Sequence, residues 1–295
     1  MTCLQHAGAF SHDRIETEGG NGEVISRTVF PGIQAVYNDL HLPHCGRCVP
    51  GTEDVVEINY CLEGRYECEV SSQYCFYASP GDLSVGSVGR REAAGSFPTG
   101  RFSGLTLFIE LIPATEQNES ILREMEISLD VIRQMAIQEP RRFYLRGEAE
   151  IDDVCRRMIS ASSDHCLPSL KLKTLELLML ISDPGLLRNS RVPVYLSQKN
   201  VRLARDVRQR ITEDLSFHLT LRQLSEELHA SPTTIKNAFR SVYHHAVEAC
   251  NKGGYNAATY ELVMPDIDSE LWLAIWKDEH VDSGSPKGIC ACLAH

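Results

Sequence analysis

Thr220-Leu-Arg-Gln-Leu-Ser-Glu-Glu-Leu-His-Ala-Ser231-Pro-Thr-Thr-Ile-Lys-Asn-Ala-Phe-Arg-Ser-Val-Tyr243 is the stretch on which the reading turns. Two short runs of helical periodicity flank a break at His229-Ala230. In the first, Leu221, Leu224, Ser225 and Leu228 share a face, with Arg222, Gln223, Glu226 and Glu227 on the sides. Thr220 can cap that helix. In the second, Ser231 suits the N-cap and Pro232 the first helical position, where a missing N–H costs nothing. Ile235, Ala238, Phe239 and Val242 form an apolar stripe, and the opposite face carries Thr233, Lys236, Asn237 and Arg240. Two helices joined by so short a turn have the geometry that lays the second helix in a DNA major groove. The exposed residue types are suited to reading bases, since Asn pairs bidentately with adenine, Lys donates to guanine, and the Thr methyl packs on thymine. A plain helical hairpin is the other reading of the same pattern.

Upstream, Val201 to Leu215 predicts a helix burying Val201, Ala204, Val207 and Ile211, with several arginines outside. From Lys199 to Tyr243 there are eight Lys or Arg against five Asp or Glu, a net of +3 inside a chain of net charge -11. Phosphate contacts need such a local excess.

Towards the N-terminus the pattern changes to strands. Val55 to Leu62 is followed by Glu63-Gly64 and then by Arg65 to Val70, where Tyr66, Cys68 and Val70 alternate with Arg65, Glu67 and Glu69. The alternation predicts a half-buried strand, and Gly64 a tight hairpin between the two runs. Tyr74 to Ala78 ends at Ser79-Pro80-Gly81-Asp82, a strong turn signal, and Leu105 to Leu111 closes the series. Many short strands suggest a sandwich or small barrel. After Pro113 helices take over: Ile121 to Ile137, then Ile151 to Ile159 with Ile151, Val154, Cys155, Met158 and Ile159 on one face. Leu170 to Ile181 is apolar nearly all round, which predicts burial between domains or at a dimer interface.

The expected organisation is α+β: a 1–23 extension, a 24–112 β-rich sensing domain, a 113–197 helical linker or dimerisation region, a 198–243 helix-turn-helix subdomain and an atypical 244–295 tail. At 295 residues, 43% hydrophobic and 23% charged, the chain can bury real cores and has the balance of a soluble globular protein. No apolar run approaches the roughly 18 to 20 residues of a membrane span. The first residues lack a secretory pattern, so the expected location is cytoplasmic. An odd count of 11 cysteines spread over a long chain predicts reduced thiols rather than a disulfide scaffold.

The stretch from Leu219 to Tyr243 resembles the first helix-turn-helix of the AraC/XylS family of transcriptional regulators. It shares the Leu-rich positioning helix, Ser231-Pro232 at the start of the recognition helix, and Phe239 and Tyr243 at its end. Phe30 to Ile33, Tyr37 to Asp39, Glu57 to Cys68, Pro80 to Leu83 and Lys171 to Leu178 are similar to the sensor and linker regions of a siderophore-regulator-like branch. The resemblance covers roughly residues 20 to 243. It implies a cupin-like sensor, with base readers at Thr233, Lys236 and Asn237 and Arg240 nearer the phosphates. With Ser231, these form the candidate DNA-binding set. It implies as partners double-stranded operator DNA, a small-molecule effector of siderophore-like kind, a second copy of the chain as homodimer, and RNA polymerase if the regulator activates.

The chain departs from that pattern after Tyr243. The family continues into a linker helix and a second helix-turn-helix, whereas here His244-His245 follow and no such signatures come after. Every arginine lies at or before Arg240, and both Trp272 and Trp276 lie after it. Translation in a shifted frame explains this abrupt change, and a diverged or replaced module is the alternative.

Two constellations compete with the regulator reading. His41-Leu-Pro-His44-Cys45-Gly-Arg-Cys48 offers four nitrogen and sulfur ligands, the zinc number, but eight consecutive residues make a strained cage, and an ordinary loop is the preferred reading. Cys61, Cys68 and Cys75 recur every seven residues, and strand alternation explains Cys61 and Cys68 as small buried apolar groups rather than redox sensors. Neither a phosphate loop nor a nucleophile elbow is present, and the metal-binding His-x-His of cupin enzymes is missing. The sequence therefore predicts a regulator with no catalytic residues and no cofactor. The rival readings are a truncated regulator impaired in DNA binding and a cupin-like protein that binds a small molecule or metal.

Overall fold

The computed structural model describes residues 10–44, 55–71, 73–87, 96–137, 143–163, 166–183, 185, 195–213 and 219–243. The chain divides into two compact units, with the boundary between Tyr195 and Leu196.

The first unit is built on antiparallel strands β1 (Phe10–Thr17), β2 (Gly20–Phe30), β3 (Ile33–His41), β4 (Val55–Gly64), β5 (Tyr66–Ser71), β6 (Tyr74–Ala78), β7 (Asp82–Ser87) and β8 (Phe102–Glu110). A ninth, β9 (Phe143–Arg146), returns from the helical region to the sheet edge. The large sheet has seven strands in the order β1-β2-β3-β8-β4-β7-β9. The pairs β3·β8, β4·β7 and β5·β6 nest inside one another. That is the pairing of a long hairpin rolled up, the jelly-roll architecture that cupins share.

The two faces of the large sheet have separate cores. One face, with Ile33, Ala35, Ile58, Tyr60, Leu83, Leu105, Leu107 and Phe143, packs against helices. These are α1 (Leu111–Gln117), α2 (Glu119–Glu124), α3 (Leu129–Ile137), α4 (Ala149–Ser163) and α5 (Leu167–Ile181). The other face, with Val24, Val36, Leu40, Cys61, Phe102, Phe108 and Tyr144, packs against Phe76 and Ala78 of the β5–β6 hairpin. Each buried Leu, Ile or Phe in such cores contributes about 1.5–3 kcal/mol.

Four expectations need correction. Gly64 does not make a hairpin, because both edges of β4 are already taken by β7 and β8. At φ +76 it turns the chain into β5, and a Cβ there would sit 2.0 Å from the Arg101 carbonyl oxygen. Two of the charged positions expected on an exposed face are buried instead: Arg65, just before β5, and Glu67 within it are 5% and 3% exposed. Arg65 donates from Nη1 to Ser79 Oγ at 3.1 Å and lies over the Tyr77 ring, and Tyr77 donates to Glu67. Burial pulls the Arg65 guanidinium down to about 10, so it stays charged at neutral pH. The sheet begins before residue 24, since β1 pairs with β2 from Phe10 to Thr17. Lastly, α5 buries Leu170, Thr174, Leu175, Leu177, Leu178 and Ile181 within the first unit's own core, so neither an inter-domain nor a dimer seam is needed to explain them.

The turn expected at Ser79-Pro80-Gly81-Asp82 is present. Asp82 N–H donates to the Ser79 carbonyl at 2.9 Å, and Gly81 takes the φ of +82 that the third position of a type II turn requires. Asp82 itself is fully buried. Its carboxylate accepts from Ser79 N–H at 2.7 Å and from Arg146 Nε and Nη2, each at 2.8 Å. Across the sheet, Tyr60 donates its hydroxyl to Asp152 on α4, which also accepts from Arg156 at 2.7 Å.

The second unit holds α6 (Gln198–Glu213), α7 (Leu221–Glu227) and α8 (Pro232–Tyr243), after the short strand β10 (Tyr195–Ser197) at the boundary. No helix among the described residues is long and apolar enough to cross a membrane. The 244–295 tail, with its shifted-frame reading, lies outside the described residues.

Candidate nucleic-acid interface

The start of α7 is set by a capping box. Thr220 Oγ1 accepts from Gln223 N–H at 3.2 Å, and Gln223 Oε1 accepts from Thr220 N–H at 2.8 Å. Leu224 anchors α7 with no exposed surface, while Leu221, Ser225 and Leu228 are half-buried. The helix closes with Leu228 N–H on the Leu224 carbonyl at 2.9 Å. His229 then takes a φ of +49, a left-handed conformation that turns the chain. Ser225 ties that turn down by donating from Oγ to the Ala230 carbonyl at 2.7 Å. Four residues, Leu228 to Ser231, separate the two helices.

Ser231 opens α8 as expected, its Oγ accepting from Thr234 N–H at 3.1 Å. The apolar stripe is buried as the periodicity required: Ile235, Ala238, Phe239 and Val242 are at most 2% exposed, and Tyr243 joins them at 3%. Phe239 and Tyr243 pack at 4.8 Å, with the Arg208 guanidinium over the Tyr243 ring. Val201, Ala204, Val207 and Ile211 of α6 complete the core of this unit.

The outward face of α8 carries Thr233, Asn237 and Arg240, all exposed, at the i, i+4, i+7 spacing of one helix face. Lys236 is half-buried beside them. Charge is distributed unequally between the two helices. On α7, Arg222 is paired with Glu226 at 3.0 Å. Arg210 of α6 bridges Glu213, at 2.7 Å, and Glu227 of α7. The Arg210 hydrogen bond holds the Glu213 carboxyl below its ordinary range. Arg240, by contrast, has no acidic partner among the described residues. An unneutralised guanidinium beside an Asn and a Thr on a rigid helix is equipped to meet phosphate and base edges together.

The structure thus brings Thr233, Asn237 and Arg240 to one surface, with Lys236 at its margin. Ser231 has its hydroxyl engaged in the cap. The metal-like string does not assemble as far as it is described: His41 Nε2 lies 3.4 Å from Asp39 Oδ1, and His44 sits in an isolated bridge to Ser96. Cys45 and Cys48 lie outside the described residues. Among the described residues no group of three or more His, Cys, Asp or Glu is placed to hold a metal ion. The free cysteines described are Cys61, Cys75 and Cys155, all buried, and Cys166, exposed.

Sequence reasoning misses a polar set on the inner face of the large sheet: Glu57, Asn59, Thr106, Asn38 and Ser84. The available signal is Glu57 and Asn59, two polar residues at strand spacing in the otherwise apolar run Val55 to Leu62.

No family model and no curated protein matches the sequence. Among solved structures, the chain is similar to the AraC-like transcriptional activator CuxR at 14% identity. That likeness covers 79% of this chain and 80% of that one at a TM-score of 0.35. ToxT from Vibrio cholerae O395 is similar at 6% identity, over 82% of this chain and 97% of that one, TM-score 0.33. KdgF from Halomonas sp. covers 36% of this chain and 94% of its own at 19% identity and a TM-score of 0.23. Likenesses this loose carry no functional conclusion.

Proposed function

We propose that the chain is a sequence-specific DNA-binding transcriptional regulator of AraC type, in which α8 reads operator DNA and the jelly roll answers to a small-molecule effector. The observation that supports this best is the exposed polar face of Thr233, Asn237 and Arg240 on α8, held on a capped helix-turn-helix. In this reading Asn237 pairs with adenine, Lys236 donates to guanine, the Thr233 methyl meets thymine and Arg240 holds a phosphate. The protein binds rather than catalyses, and the effector acts through its different affinity for two arrangements of the DNA-binding unit. In this reading residues 244–295 do not encode the second helix-turn-helix of the resembled family intact, because the frame shifts after Tyr243. A lone module buries much less surface than a pair and binds correspondingly weakly.

Fluorescence anisotropy against the promoter of its own gene, with salt varied, tests the reading. Affinity should fall steeply with salt, as phosphate contacts demand. Arg240→Ala should weaken every sequence alike and lower the salt slope by about 1. Asn237→Ala should flatten base preference at one position, at a cost of about 1–3 kcal/mol on the preferred site. Equal loss on all sequences for Asn237→Ala would sink its role as a reader. Sequencing the encoding DNA tests the frame: no helix-turn-helix in either alternative frame means the tail is a replaced module.

A further inference from the structure

The basic side chains of the helical unit are neutralised unequally. Arg210 is held by Glu213 and Glu227, and Arg222 by Glu226. Arg240 is exposed in the last turn of α8, in line with Thr233 and Asn237, and has no acidic partner among the described residues. From Lys199 to Tyr243 the balance is eight basic residues against five acidic ones. The outward face of α8 thus offers an open positive charge beside polar side chains that can donate and accept.

The sequence after Tyr243 turns acidic. Within 261–282 seven Asp or Glu, among them Glu261, Asp266, Asp268 and Glu270, stand against the single Lys277. Both tryptophans of the protein, Trp272 and Trp276, fall in the same stretch. About 20 residues separate Arg240 from Glu261, an extended reach of about 70 Å. The 12 residues of α8 span only about 18 Å, so that connection is ample for the acidic stretch to return along the whole helix.

We infer that the acidic 261–282 stretch docks on the exposed face of α8 and competes there with DNA, so that the chain restrains its own reader. The docking stands apart from the DNA reading, and the competition rests on it. A carboxylate closes the Arg240 guanidinium as Glu226 closes Arg222, and a tryptophan ring covers its flat side. Because the stretch is tethered, it meets the face at an effective concentration in the millimolar range. A contact of only about 0.1 mM intrinsic affinity then weakens DNA binding about tenfold. Salt loosens it, as it loosens any exposed ion pair.

Tryptophan emission from the full chain without DNA tests the docking, since both tryptophans lie in the stretch. Acrylamide, an uncharged quencher, should quench them about twofold more strongly at about 1 M NaCl than at about 0.01 M, where charges are scarcely screened. Arg240→Glu should give the stronger quenching already at low salt. So should the combined tail variant Glu261→Gln, Asp266→Asn, Asp268→Asn and Glu270→Gln, which should also bind promoter DNA about tenfold tighter at low salt. Quenching that ignores salt, or a salt response that Arg240→Glu leaves unchanged, overturns the inference. So does shielding that grows with protein concentration, which would place the stretch on a second copy. DNA affinity untouched by the four tail substitutions overturns the competition. Shielded tryptophans in a chain that binds no DNA keep the docking and lose the regulator reading; open tryptophans in a chain that binds DNA do the reverse.

Discussion

The two units place their polar chemistry on opposite sides of their cores. In the helical unit the apolar stripe Ile235, Ala238, Phe239 and Val242 is inside and the informative side chains Thr233, Asn237 and Arg240 are outside. In the jelly roll Glu57, Thr106 and Ser84 are inside, among Phe108, Tyr144 and Cys61. On the proposed function, the difference follows from what each must meet. A duplex is too large to enclose, so a reader displays its donors on a rigid exterior. A small molecule is bound by enclosure, so its contacts must be buried and mutually satisfied.

The largest effect should come from the core that supports the exterior face. Phe239→Ala removes a ring with no exposed surface and should cost about 3–5 kcal/mol, seen as a lower melting temperature and loss of DNA binding together. Retained affinity would mean that the α8 face does not depend on its buried stripe. Next comes the interior charge of the jelly roll. Asp82→Ala leaves Arg146 and Ser79 N–H without their acceptor and should cost about 2–3 kcal/mol by chemical denaturation, less than a fully enclosed pair because Arg146 is 45% exposed. Thr220→Ala should cost about 1 kcal/mol and fray α7 alone. A cost shared by the jelly roll would contradict the division into two units.

The smallest effect is on acid sensitivity. The hydrogen bond from Arg156 holds the Asp152 carboxyl below its ordinary range, against the upward push of burial, and Tyr60 adds a second donor. A depressed carboxyl contributes stability above its unfolded pKa and loses it as pH falls through the folded value. Asp152→Asn should therefore lower stability slightly at neutral pH, leave strongly acid pH little changed, and so flatten the stability–pH curve below about pH 4. An unchanged acid limb would detach Asp152 from this account.

Legibility in the sequence follows the same division. Periodicity alone locates the buried faces of α6 and α8, and Thr220 and Ser231 mark the caps of α7 and α8, because a helix's inside and outside are set by residues adjacent in sequence. The jelly roll is non-local. Whether Gly64 closes a hairpin or turns a corner depends on β7 and β8, which lie far along the chain. Alternation in β5 separates its two faces but not what covers them, so Arg65 and Glu67 read as solvated when they are enclosed. β9 is four residues long and leaves no signal in a helical neighbourhood. The inner polar set is hidden for a related reason: Asn59, Thr106 and Ser84 become neighbours only once three strands are in register.

The thiols give the molecule an internal clock. Cys61, Cys75 and Cys155 are sealed in the first unit, and burial raises the first and last further from their reactive thiolate form. Cys166 lies open on the same unit. Alkylation at Cys166 should be immediate, whereas each sealed sulfur can react only during an opening of the structure around it. Site-resolved labelling rates would therefore report how often the sheet, the hairpin and α4 breathe, using reporters that evolution has already installed.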